Sequence, residues 1–256
     1  MSNKDSIQKT LTVALLLCIV CSVIVSSAAV WLRPLQVVNK EQDRRKNILL
    51  AAGMYNASQS IEQQFSSIQT RWVDLDSGRF VAEPPPAGFD QRKAAKDPAQ
   101  SRVLSGDEDL AKISRRENRA LVYIVESASG FDKVILPIHG YGLWSTLYGF
   151  IALEADLNTI AGLGFYDHGE TPGLGGEVDN PRWKAQWPGK HIYRDGQVAI
   201  AVLKGASNPA SAEIDYQVDG LSGATLTSRG ISNLLQFWLG SDGFQPFLLN
   251  LKAGEA

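Results

Sequence analysis

The chain has 256 residues, 44% of them hydrophobic, which is enough to bury one large core or two small ones. Its formal net charge of −2 excludes the electrostatic footprint of a nucleic-acid binder and gives no sign of an acidic partner. The 2 cysteines, Cys18 and Cys21, sit close together near the N-terminus, so the remainder carries no disulfide framework.

Residues 1–9 form a short polar tail. Residues 10–32 then run without a charge between Lys9 and Arg33. A bilayer needs about 20 apolar residues of helix, so this run is long enough to cross one. It exceeds the roughly 7–15 residues of a signal-peptide apolar region, although Ser27-Ala28-Ala29 offers a small-x-small cleavage pattern and hence a secreted form as the alternative. Trp31 suits an interfacial anchor, and neither cysteine follows the small residue that a lipid-attachment site requires. Arg33, Lys40, Arg44, Arg45 and Lys46 follow the span while only Lys4 and Lys9 precede it. Charge alone therefore keeps the C-terminal part cytoplasmic.

Residues 33–70 read as a polar linker and then one or two amphipathic helices, with Ile48, Ala52, Tyr55 and Ile61, Phe65, Ile68 at three- and four-residue spacing. The folded domain is residues 71–256. It opens on a hairpin at 71–82 turning at Asp76-Ser77-Gly78. Pro84-Pro85-Pro86 starts a polar insert, 84–118, read as a surface loop with a short helix or as a partner-docking insert. Strand-rich segments follow at 121–125, 133–139 and 144–155, with 159–166 after them. A short helix is expected at 180–186, strands at 197–204 and 212–218, and a closing helix at 226–239 with Ile231, Leu234, Leu235 and Trp238 on one face. Strands and helices mixed without regular alternation predict an α+β fold. His139, His168 and His191 have no ligand spacing, so no metal centre is expected.

Three segments carry chemistry. Gly140-Tyr141-Gly142-Leu143-Trp144 and Glu170-Thr171-Pro172-Gly173-Leu174-Gly175 are glycine-rich breaks, and neither is a dinucleotide fingerprint or a P-loop. Glu170 is ambiguous, either fixing its loop by accepting backbone N–H bonds or lying as ordinary polar surface, and is not read as a catalytic acid. The third is Asp219-Gly220-Leu221-Ser222-Gly223-Ala224-Thr225, between an expected strand and an expected helix. Small residues leave its backbone open, and a helix start offers free N–H groups and a positive dipole end, a seat for phosphate. Ser and Thr are also ordinary helix caps, so local capping competes with function here.

D-G-x-S-G-A-T resembles the flavinylation motif of the FMN-binding domain family, whose last threonine bears FMN through a phosphoester bond. The layout, one apolar N-terminal segment with this motif near the C-terminus, resembles the C subunits of Na+-translocating NADH:quinone oxidoreductases. The G subunits of the related ferredoxin-oxidising complexes have a similar plan and stand as the alternative. The resemblance implies a transmembrane helix followed by a mixed sheet-and-helix FMN-binding domain, with Thr225 as the flavin-bearing residue. Asp219, Gly220, Ser222, Gly223 and Ala224 would then be read by a flavin transferase, while Leu226, Thr227 and Ser228 offer N–H groups to the phosphate and Arg229 a countercharge. Trp144, Thr171, Leu174 and Gly175 would line the ring, though Trp144 reads equally as a core tryptophan.

The resemblance further implies a single-pass protein of the bacterial inner membrane, held by lipid contact through one helix, with a cytoplasmic tail and a periplasmic domain. It would relay single electrons between partner membrane subunits during NADH oxidation, ubiquinone reduction and Na+ export, with no complete active site and no catalytic residue on this chain alone. Two other readings remain. Gly220-Leu221-Ser222-Gly223-Ala224 resembles a serine-hydrolase elbow with its last glycine replaced, but no histidine follows Ser222. A non-enzymatic anchored scaffold would use the glycine loops for binding only.

Overall fold

The computed structural model describes residues 6–86, 88–127 and 130–256. It divides into a first unit ending at Arg44 and a second, Arg45–Ala256. The first half of the expected N-terminal tail, Lys4 included, lies outside the described residues.

Helix α1 (Ile7–Ala51) supplies the first unit. Its apolar run is exposed all round, with Leu15, Leu16, Val23, Ile24 and Val30 open to the surroundings. A helix apolar on every face and covered by nothing is a candidate membrane span. The expected linker after residue 32 is helical instead, continuing through Pro34 to Ala51. Lys40, Glu41, Gln42, Arg44, Arg45 and Lys46 are straight-chain helix formers, and the Glu41–Arg44 ion pair, 2.9 Å at i,i+3, supports the turn they share.

In the second unit, α2 (Ile61–Phe65) is capped by Ser60, whose hydroxyl accepts from the Gln63 N–H. Ile68, expected on the helix, opens β1 (Ile68–Asp74). β1 turns at Asp76-Ser77-Gly78 into β2 (Arg79–Phe80), with Val73 opposite Phe80. The insert holds α3 (Gln91–Lys96), β3 (Ser101–Val103) and β4 (Arg115–Glu117). Then come β5 (Arg119–Ser127), β6 (Gly130–Tyr141), β7 (Thr146–Glu154) and β8 (Ile160–Asp167). They form a six-stranded antiparallel sheet in the order β2-β1-β5-β6-β7-β8.

Alternation along the strands sends side chains to two cores. Val122, Val134, Leu136 and Ile138 pack with Ile231, Leu234, Leu235, Trp238, Phe244 and Phe247 of the C-terminal helices. Leu121, Tyr123, Ile135 and Phe150 pack with Ile48, Leu49, Ala52 and Phe65. Both faces are covered, so the strands read as continuous apolar runs.

The C-terminal part is less regular than expected. α4 (Pro181–Lys184) is present, but the strand expected at 197–204 is reduced to two-residue pairings: β9 (Tyr193–Arg194) with β10 (Gln197–Val198), then β11 (Ala201–Val202). The strand expected at 212–218 is a 3-10 turn, Ile214–Tyr216, followed by β12 (Gln217–Val218), which pairs parallel with β11. Lys190 Nζ donates to the Ile214 carbonyl at 2.6 Å and the His191 N–H to that of Asp215 at 2.8 Å, so these carbonyls are satisfied without a ladder. β12 turns into α5 (Thr225–Trp238), and α6 (Gln245–Ala253) closes the chain.

Within the insert, Arg116 of β4 is buried, bonded to Asp76 and, at 2.7 Å, to the Asp242 carbonyl. Glu117 beside it is fully buried and accepts from the Gln91 amide, while its Oε2 has no partner among the described residues. Burial pushes the Glu117 carboxyl up to about 7, against its own N–H, Gln91 and Arg116, which pull it down. A folded-state value above the unfolded one near 4.5 means that the folded state holds the extra proton. Stability is therefore full below the unfolded value and is lost as pH rises through the folded one. Glu117→Gln should remove this slope. Between pH 5 and pH 8 in detergent, the wild-type melting curve should lose on the order of 3 kcal/mol relative to the variant, and parallel pH profiles would contradict the assignment.

Candidate functional site

The two glycine loops leave the same end of the sheet. Tyr141 pairs with Thr146 across the β6–β7 turn, and Tyr148 with Asp167 at the end of β8. Helix α5 runs along β6 with its first turn at that end. Trp238 Nε1 donates to the His139 carbonyl at 2.6 Å, and a Cβ on Gly230 would lie 2.5 Å from the Tyr141 carbonyl oxygen. All three motif segments therefore converge.

Thr225 is the first residue of α5, half-buried, and its hydroxyl makes no hydrogen bond to another described residue. Ala224 provides no side-chain cap. The first intrahelical bond is Ser228 N–H to the Ala224 carbonyl, 3.0 Å, so the N–H groups of Thr225, Leu226 and Thr227 have no acceptor in the helix. Among the first-turn hydroxyls, only that of Ser228 is spent on the turn itself, accepting from the Leu221 N–H at 2.9 Å. Ser222 and Arg229 are exposed. Gly223 takes φ +70°, and a Cβ there would meet Leu174 Cδ2 at 2.9 Å, so the second loop lies directly on this turn.

Asp219 holds the turn from behind. Its carboxylate accepts from Ser207 N–H (2.7 Å) and Oγ (2.6 Å), its carbonyl from Trp183 Nε1 (2.9 Å), and its N–H donates to Gln186 (3.0 Å). The Gly220 N–H donates to the Gly205 carbonyl at 2.9 Å.

Glu170 joins the remaining pieces. Its Oε1 accepts from the N–H groups of Leu143 (3.1 Å), Trp144 (2.9 Å) and Ser145 (3.2 Å), and its Oε2 from the Thr227 hydroxyl (2.7 Å). Burial alone would raise this carboxyl. The Thr227 hydroxyl and the Trp144, Leu143 and Ser145 N–H groups outweigh it and hold the group below the usual carboxylate range. Gly175 packs tightly here: a Cβ would lie 2.6 Å from Glu170 Oε2 and 2.7 Å from Thr227 Oγ1. The Thr171 carbonyl, accepting from Leu174 and Gly176, closes the loop, and His168 steadies it by bonding Asp179 at 2.9 Å. His139 is buried between Tyr148 and Trp238, and burial, with Arg92 nearby, pushes it down to about 4.

The sequence left two readings of Trp144, and the structure excludes the core: the side chain is 67% exposed. Leu226, Leu174 and Tyr141, on the same segments, are 52%, 44% and 41% exposed. Elsewhere in this unit, exposed large apolar side chains such as Val103, Leu110 and Leu249 stand on separate elements. Apolar walls beside an uncapped helix start fit a molecule with a flat ring at one end and an anion at the other. The tether from Glu170 to Thr227, the exposure of Tyr141 and the Ser207 brace were not expected from the sequence. None of them belongs to a spacing pattern. Among the described residues, no histidine is bonded to Ser222 and no cluster of metal-ligating side chains occurs.

A family model described as the FMN-binding domain matches residues 142–240, which contain all three converging segments from Gly142 onward. The C subunit of the Na(+)-translocating NADH-quinone reductase of Pseudomonas aeruginosa is 54% identical over 261 residues, covering 100% of both chains. That of Vibrio anguillarum is 51% identical over 255 residues, covering 99% of this chain and 98% of its own. Among solved structures, Shewanella oneidensis NqrC superposes with a TM-score of 0.76 at 37% identity, over 84% of this chain and 99% of that one. The structure of the corresponding reductase chain from Parabacteroides distasonis gives 0.65 at 30% identity, over 85% and 96%. With a helix apolar enough to span a membrane and an α+β domain whose α5 starts without a side-chain cap at Thr225, this chain belongs to the family of Na+-translocating NADH-quinone reductase C subunits.

Proposed function

We propose that this chain is the flavin-carrying electron-transfer subunit of a Na+-translocating NADH:quinone reductase, with FMN esterified through its phosphate to the Thr225 hydroxyl. One observation carries the reading: on the D-G-L-S-G-A-T turn, the threonine hydroxyl has no hydrogen-bond partner among the described residues and stands at the first residue of a helix without a side-chain cap. FMN, when bound, supplies redox chemistry in one- and two-electron steps. The chain's own residues hold and orient it. The N–H groups of Leu226 and Thr227 suit the phosphate, with Arg229 one turn on as countercharge. Gly223, Ala224 and exposed Ser222 leave the approach open for a transferase, while Asp219 and Gly220 keep the turn in shape. Trp144 and Leu174 offer apolar walls, and Thr171 and Gly175 backbone.

NADH oxidation and quinone reduction then fall to partner membrane subunits, and the isolated chain should show no dehydrogenase activity. The second unit is assigned to the periplasm against the charge count, since long domains translocate largely regardless of flanking charge. A covalent bond suits that side, where a lost flavin is not readily replaced.

Co-expressed with a flavin transferase and denatured in detergent, the wild-type chain should give a fluorescent band. Thr225→Val should abolish it and Ser222→Ala should keep it. A hydrolase or a bare scaffold predicts no band at all. Separately, alkaline phosphatase fused after Ala256 should be active in cells, and an inactive fusion would place the second unit in the cytoplasm.

A further inference from the structure

Resting on the flavin reading above, we infer that Glu170 is a positioning residue. Its carboxylate locks the loop carrying Trp144 to the first turn of α5 and leaves a fixed negative charge between those two walls of the site. Three consecutive N–H groups, of Leu143, Trp144 and Ser145, converge on one oxygen, so the loop is folded around an anion in the manner of a backbone nest. The other oxygen takes the hydroxyl of Thr227, two residues beyond Thr225, so the same group sets the position of the helix start.

Glu170 makes no ion pair with a lysine or arginine among the described residues. A carboxylate buried to 5% exposure is costly unless it is held by strong donors, and here these are dipoles alone. A purely structural tie needs no charge, because a carboxamide oxygen also accepts N–H bonds. The charge that is kept is not neutralised by a neighbouring cation, so its field reaches the site and disfavours adding an electron there. The second loop packs closely against this carboxylate, since a Cβ on Gly175 would lie 2.6 Å from Oε2.

The test uses the full chain in detergent, co-expressed with the transferase, as Glu170→Gln, Thr227→Val and Thr227→Ser. Glu170→Gln, nearly isosteric, should keep the denaturation-resistant flavin and shift its midpoint potential upward. Thr227→Val, which cuts only the helix tether, should raise flavin fluorescence several-fold as Trp144 loses its fixed quenching position, and Thr227→Ser should restore the wild-type yield. Unchanged potential in Gln together with unchanged fluorescence in Val, even with a lower melting temperature, would overturn the inference by leaving Glu170 a structural role only. Should the Gln variant fail to fold, the Val and Ser pair decides alone: a rise that Ser reverses supports the inference, and equal yields overturn it. A wild-type chain without denaturation-resistant flavin would instead remove the Thr225 assignment itself.

Discussion

A single buried carboxylate joins segments that lie far apart in the chain. Glu170 receives donors from residues 143, 144, 145 and 227 while sitting in a loop of its own. Each hydrogen bond to a charged group is worth about 1.5–3 kcal/mol, and a donor left unpaired on burial costs a comparable amount. The loops and the helix start therefore hold together or come apart as a group. That coupling follows from packing as well as charge, because Gly175 and Gly230 let the second loop and the β6 end approach closer than any side chain would permit.

The sheet decides why these segments meet where they do. β6, β7 and β8 form an antiparallel meander, so the turn between β6 and β7 and the exit from β8 fall at one end. α5 lies along β6 on the face that also buries Phe244 and Phe247, and its polarity brings its N-terminus, with the unpaired N–H groups, to that same end. The opposite face is closed by the end of α1 and by α2, through Ile48, Leu49 and Phe65. The site thus rests on a support buried from both sides, which limits how far its loops can drift.

Long, strongly patterned features were legible in the sequence and locally negotiated ones were not. The four main strands and α5 follow from apolar runs and a 3.6-residue face, and the motif glycines foretell close backbone approach. Residues 212–218 carry strand-like composition, yet their carbonyls are claimed by Lys190 and His191, partners that no local pattern announces. The stretch after residue 32 looks like a linker because it is polar, but it has no glycine and is rich in Lys, Arg, Glu and Gln, which are good helix formers, and the helix prevails through Pro34. α6 was not expected, although Pro246 near its start and Gly254 in the left-handed conformation just past its end are ordinary boundary signals. In the sequence Glu170 read equally as a loop anchor or as polar surface, and its bridge to Thr227 was not legible, because that pairing spans 57 positions.

An open site also accounts for the proposed ester. Cavities of 220 Å³ beside Asp156, Tyr193 and Leu248, and of 480 Å³ beside Thr70, Trp72 and Pro84, lie away from the motif. The motif itself offers walls that stand largely in solvent, Trp144 and Leu226 most of all. Such a surface buries too little of a ring to retain it by contact alone, since affinity for small ligands comes from enclosing most of their area. A covalent tether replaces that missing affinity by keeping the local concentration on the order of millimolar or above without any new contact. Exposure then ceases to be a weakness. On the proposed reading, an edge left uncovered is one that a partner's redox centre can approach, and a carrier that both receives and delivers electrons needs that access more than it needs a closed pocket.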